Sequence, residues 1–234
     1  MRLCSFWIVL GVAVAGSRGV ARRSVDLAVL LPIADDRRPF SAVRLRPAVD
    51  LAVSHVSAVF SCRLRVSYRD SQCSEVYGMN EAINYFMRSP PDVYFGPICD
   101  YAVAPVARQS PVWDIPVVSV GALARNFFVE HRAKYPLLTR AGPVNLVGLA
   151  DTIFEAMHMH AWRRVVVLYE RQGRSEVIPP FCHLATETFV YYPLESATSQ
   201  RVSKKEHYNL DLDPAKINFA EVLANEVGHK FAGT

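Results

Sequence analysis

Two short turns carry the groups best suited to chemistry: Asp70-Ser71-Gln72-Cys73 and Gly96-Pro97-Ile98-Cys99-Asp100. A serine hydroxyl beside backbone N–H groups at a helix start makes a site for a small anion, because the first N–H groups of a helix have no partner inside it. Gly96 lets the chain bend sharply and Pro97 fixes the next φ. The N–H groups of Ile98, Cys99 and Asp100 would then lie at the start of the helix that DYAVAPVARQ begins. If the two turns are neighbours, a Cys73–Cys99 bridge would staple them. The loop it closes is about 26 residues long and worth roughly 3–4 kcal/mol. Two readings stand: a staple alone, or a staple beside an anion held by the Ser71 hydroxyl and those N–H groups.

The remaining constellations exclude more than they suggest. His158 and His160 are two apart, which points them to different helix faces, so they do not form a metal pair. Cys182 and His183 are adjacent in sequence, which is not the geometry of a thiol nucleophile and its base. No phosphate-binding loop, nucleophile elbow or zinc-protease motif is present. Ser203, Lys204 and Lys205 read as a solvated loop. No catalytic or metal residue is assigned, and a secreted α/β enzyme lacks the motif it would need.

Short apolar runs alternate with helical periodicity, and this pattern must position the two turns. VDLAVLLP (25–32), LRVSY (64–68), DVYFGP (92–97) and IPVVSVG (115–121) read as strands. Between them lie a helix with Pro47 in its first turn and Val49, Ala52, Val53, Val56 and Phe60 at helical spacing, a helix for which Ser74 is the N-cap candidate with Met79, Ile83, Phe86 and Met87 on one face, and DYAVAPVARQ. Such alternation implies a parallel sheet covered on both faces. LTRAGPVN (138–145) reads as a crossing segment. A second series follows: a helix over 147–162 with Leu149, Ile153, Phe154 and Met157 apolar, a strand over 163–170, a helix over 181–192, a polar loop over 199–213 and a helix over 219–229. The first lobe is thus 25–137. The second, 138–234, is expected to be incomplete, because its last helix feeds no further strand.

The chain has 234 residues, 51% of them hydrophobic, enough for one sizeable core or two lobes. Its net charge of +4, with no basic run interleaved with aromatics, calls for no nucleic acid. Arg2 followed by FWIVLGVAVA (6–15) reads as a signal peptide within 1–21, with cleavage after Ala15 or Ala21. The apolar run is too short to span a bilayer. Secretion removes Cys4 and leaves Cys62, Cys73, Cys99 and Cys182 in an oxidising compartment, where spacing alone does not choose among three pairings. Localisation is therefore extracellular.

The segments LAVLLPIADDRRPFSAVRLRPAVDLAV, SYRDSQC, VYFGPICDYAVAPVARQSPVWDIPVVSVGALA and YPLLTRAGPVNLVGLADTIFEAMHMHAWRRVVVLY together resemble the extracellular domain of natriuretic peptide receptors. That group holds receptor guanylate cyclases and a short clearance-type receptor. The resemblance runs over about residues 26–230, with GPxCxYAxAPVAR and LTRAGP its most specific parts. It implies a type I periplasmic-binding-protein-like fold of two doubly wound parallel-sheet lobes. It implies that Cys73 and Cys99 are paired, and that a buried chloride sits on Ser71 and the N–H groups of Ile98 and Cys99. It implies a peptide-hormone pocket with Tyr101, Arg108, Tyr135 and Tyr169, formed between two protomers. Tyr and Arg are the favoured anchors of such interfaces. The sequence departs from the family at His183 and Leu184, where the family has aromatics. The family's partner for Cys182 lies past Thr234, and Cys62 is additional, so both are expected to be unpaired.

The expected function is therefore that of a receptor ectodomain. An extracellular peptide bridges a homodimer and signals allosterically through a membrane span outside this sequence. The chain itself is expected to be a binding module, with any guanylate cyclase domain beyond it. Two rivals share the fold: a small-molecule receptor that takes an amino acid in its cleft, for which Ser119 is the first-lobe candidate, and a secreted decoy.

Overall fold

A computed structural model describes residues 24–60, 62–191, 204–209 and 217–228, with backbone alone for 204–209. The putting-together of this fold begins at β1 (Ser24–Leu31), the most apolar strand, where Ala28, Val29, Leu30 and Leu31 are all buried. A run buried on both faces belongs in the middle of a covered parallel sheet. It pairs in parallel with β2 (Arg63–Asp70) on one side and β3 (Val93–Phe95) on the other. β4 (Val117–Ser119) and β5 (Leu138–Arg140) complete a five-stranded parallel sheet in the order β2-β1-β3-β4-β5. The segment read as a crossing thus opens with a strand, since Leu138–Arg140 pairs with β4.

Crossovers between parallel strands are right-handed, so a step from β1 to β2 and steps from β2 through β3 to β4 place their helices on opposite faces. α1 (Ala42–Phe60) lies on the β2 side, with the Arg46 guanidinium 4.6 Å from the centre of the Tyr68 ring. α2 (Glu75–Arg88) and α3 (Asp100–Trp113) cover the other face. There Tyr94 is fully buried and its hydroxyl donates to the Ala82 carbonyl at 2.8 Å.

Three sequence expectations change here. α1 begins at Ala42, which puts Pro47 beyond the first turn, where a missing N–H costs a helical bond. α2 buries Gly78 and Ala82, whereas Ile83 and Met87 are exposed. The reason is close approach: a Cβ on Gly78 would stand 3.3 Å from the Ala102 Cβ of α3, so the small-residue edge turns inward and the bulkier stripe rotates outward. Ser74 occupies the N-cap position of α2 but makes no side-chain cap bond.

The chain divides into two compact units: residues up to Ala122 with Arg132–Ala141, and Leu123–His131 with Gly142 onward. The second contains the short α4 (Asn126–Val129), α6 (Leu146–Met159), β6 (Arg164–Tyr169), α7 (Phe181–Tyr191), β7 (Lys204–Asn209) and α8 (Phe219–Val222), while α5 (His131–Lys134) precedes β5. Asn145 caps α6 by accepting from the Gly148 N–H at 3.0 Å. α6 buries Leu146, Ala150, Phe154 and Met157 and leaves Leu149 and Ile153 exposed, so its inward face is shifted from the one expected. The Phe154 and Phe189 rings stack at 4.8 Å, and Val165 and Val167 of β6 pack on this cluster. β7 is a correction: the polar stretch 199–213 reads as a loop, but Lys204–Asn209 within it pairs in parallel with β6. α8 runs on into a π-turn over Leu223–Val227 rather than a continuous α-helix.

Candidate functional site

The carboxyl ends of β1, β2, β3 and β4 meet at the two turns, the end of an open parallel sheet where ligands bind. Gly96 has φ +88°, and a Cβ there would collide with the Leu30 carbonyl, so only glycine brings the turn this close to β1. Cys73 and Cys99 form a disulfide with their Cα atoms 5.3 Å apart, which fixes the two turns as neighbours. Ser71 is 1% exposed, and its hydroxyl has no hydrogen-bond partner. Ile98 and Cys99 are buried, and their N–H groups donate to no other described group. A buried hydroxyl and two buried N–H groups, all donors without partners, fit a small anion that can accept from each. They offer no carboxylate, imidazole or thiolate, and among the described residues no group of three such side chains gathers for a metal.

A second set of bonds locks this turn to the next strand. The Ser119 hydroxyl donates to the Pro97 carbonyl at 2.7 Å and accepts from the Gly121 N–H at 3.1 Å. Gly121 lies so close to the Ile98 carbonyl that a Cβ would overlap it. Arg140 of β5 donates from Nε to the Gly121 carbonyl at 3.2 Å. Burial lowers the Arg140 pKa, and the Asp100 carboxylate works against that shift. Ser119 is therefore committed to holding the turn, which removes it as a donor to an amino-acid ligand. Gly121 and Arg140 were not singled out in the sequence. A glycine at a strand end and the LTRAGP stretch that holds Arg140 were the signals available.

The four positions that the resemblance assigns to a peptide pocket fall in different settings. Tyr101 and Arg108 are exposed and seven residues apart on α3, two turns along one side of the helix. Tyr135 is 1% exposed, so it meets Arg108 rather than solvent: its hydroxyl accepts from Arg108 Nη2 at 3.0 Å, and the guanidinium lies 5.6 Å from its ring centre. Tyr169 belongs to the second unit and ends β6. Its hydroxyl is 3.5 Å from Nδ1 of His183, whose Nε2 is 3.3 Å from the Glu187 carboxylate. Cys182 is a half-buried free thiol whose pKa is raised chiefly by burial. Cys62 is half-buried just before β2.

A parallel, doubly wound lobe with its candidate site at the strand ends defines a periplasmic-binding-type ligand-binding region. Residues 44–181 match the receptor family ligand binding region, and the chain belongs to that family. Atrial natriuretic peptide receptor 3 of Rattus norvegicus is 33% identical over 161 residues, covering 64% of this chain and 29% of the relative. The Homo sapiens receptor of that name is 32% identical over 158 residues, covering 63% of this chain and 28% of the relative. Atrial natriuretic peptide receptor 2 of Rattus norvegicus is 33% identical over 145 residues, 61% of this chain and 14% of the relative. The matched stretch thus spans under a third of these relatives. Among the described residues no helix is long and apolar enough to cross a membrane.

Proposed function

We propose that this chain is part of the extracellular ligand-binding region of a natriuretic-peptide-type receptor. The peptide is engaged between two protomers, and binding changes their relative orientation to signal across the membrane. Tyr101 and Arg108 contact the hormone from α3, Tyr135 holds Arg108 in place from behind, and Tyr169 contributes from the second unit. A chloride ion rests on Ser71 and the N–H groups of Ile98 and Cys99, where its role is structural: it satisfies donors that burial would otherwise leave unpaired. The observation that carries the reading is that the stapled turn and α3 lie inside residues 44–181, the stretch matched to the receptor family ligand binding region.

Calorimetric titration of the full-length, disulfide-intact protein with atrial natriuretic peptide, and separately with glutamate, tests this. Saturation at one peptide per two chains with no glutamate heat supports the reading. Glutamate saturation without peptide binding replaces it with the small-molecule receptor.

A further inference from the structure

Tyr169 is the last residue of β6, at the carboxyl end of a parallel strand pair, the end from which ligands are bound. It does not stand alone there. His183, in the first turn of α7, stacks on it with ring planes 16° apart and places Nδ1 3.5 Å from its hydroxyl oxygen. Glu187, one turn further along α7, lies 3.3 Å from Nε2 of the same imidazole. Tyr169 thus meets one nitrogen of the imidazole, and the Glu187 carboxylate lies beside the other.

A neutral imidazole has one N–H and one lone pair, and the partner of one nitrogen decides which is which. The negative Glu187 carboxylate beside Nε2 favours the tautomer with hydrogen on that nitrogen. Nδ1 is then an acceptor, and the bond to Tyr169 must use the tyrosine's only O–H hydrogen. We propose that His183 is a positioning residue that sets the hydrogen-bond polarity of Tyr169. Any other group that meets the tyrosine oxygen, ligand included, must come as a donor: an arginine or lysine side chain, or an amide N–H. Glu187 acts through His183 and not on the ligand. The ligand's identity as a peptide rests on the function proposed above. The polarity of Tyr169 does not.

The two parts are tested separately. The full-length protein labelled with ¹⁵N-histidine reports the tautomer without ligand, the His183 signals being assigned by their absence in His183→Asn. The Nε2–H form is expected, and Glu187→Gln should weaken its dominance. A dominant Nδ1–H form, which would donate to Tyr169, overturns the proposal. Affinity for atrial natriuretic peptide is then compared for wild type, Tyr169→Phe, His183→Phe and the double variant. His183→Phe keeps a ring without an acceptor, and His183→Asn keeps an acceptor near the Nδ1 position. Each Phe substitution is expected to weaken binding about three- to tenfold, the range of one neutral hydrogen bond. The double variant should be no worse than the singles, and His183→Asn should recover most of the loss at unchanged melting temperature. Losses that multiply, or a His183→Phe protein that binds like wild type while Tyr169→Phe is impaired, overturn the proposal. If the wild type binds no peptide, the functional reading fails while the tautomer still decides the polarity.

Discussion

The first unit buries the middle of its sheet deeply, and the described part of the second does not. In the first, four successive residues of β1 are buried, Tyr94 and Val117 beside them are fully enclosed, and a disulfide ties two strand ends. In the second, the described sheet has two strands, β6 is half-buried or exposed along its whole length, and the core gathers on one side around Phe154 and Phe189. A parallel sheet needs helices on both faces to hide its backbone and side chains. The first unit supplies them from both directions of crossover. The difference teaches where precision is built in. The stapled turn, with its orphan donors and its Ser119–Gly121–Arg140 lock, is fixed to within a methyl group, whereas in the second unit Tyr169 rests against the side chain of His183.

Substitutions that act on one unit sharpen that contrast, and any that spread across both would break it. The largest effect is expected from Gly121→Ala, whose new Cβ meets the backbone carbonyl of Ile98 with no flexible neighbour to yield. A loss above about 4 kcal/mol is expected, seen as loss of the cooperative thermal transition. Phe154→Ala should cost about 3–5 kcal/mol, and hydrogen exchange should accelerate in α6, β6 and α7 while β1 and β3 stay protected. Replacing Cys73 and Cys99 together by serine should cost about 3 kcal/mol, with exchange accelerated at the two turns and at the start of α3. The smallest effect belongs to Ser71→Ala. Exchanging chloride for gluconate should lower the wild-type melting temperature by about 2–4 °C and leave the variant nearly unmoved, a difference of about 1 kcal/mol.

Legibility in the sequence follows the same contrast. The strand at 25–32 was readable because a long apolar run has few alternatives, and the one at 163–170 for the same reason. The turns were readable because Gly-Pro constrains the backbone locally, while the pairing of Cys73 with Cys99 came only from the resemblance. The inward face of α2 was misread because hydrophobicity favours Ile83 and Met87, whereas packing against α3 selects the small Gly78 and Ala82. KKEHYN has no apolar alternation and is a strand only because β6 offers a parallel partner. The Arg108–Tyr135 bond joins residues 27 apart, and the Tyr169–His183 contact depends on which way α7 faces. Both are products of tertiary placement that residue types do not disclose, whereas His183 and Glu187 stand four apart on one helix, a spacing the sequence shows. Tyr135 is buried, and its hydroxyl accepts from Arg108 inside the fold.

The most direct measurement is the affinity of the full-length protein for atrial natriuretic peptide with and without Tyr101→Ala, at matched melting temperature. Tyr101 is 48% exposed, so its removal leaves the core intact. If α3 presents the hormone contact, affinity should fall at least about tenfold with the fold unchanged. Equal affinities for the variant and wild type would contradict the placement of the peptide on α3.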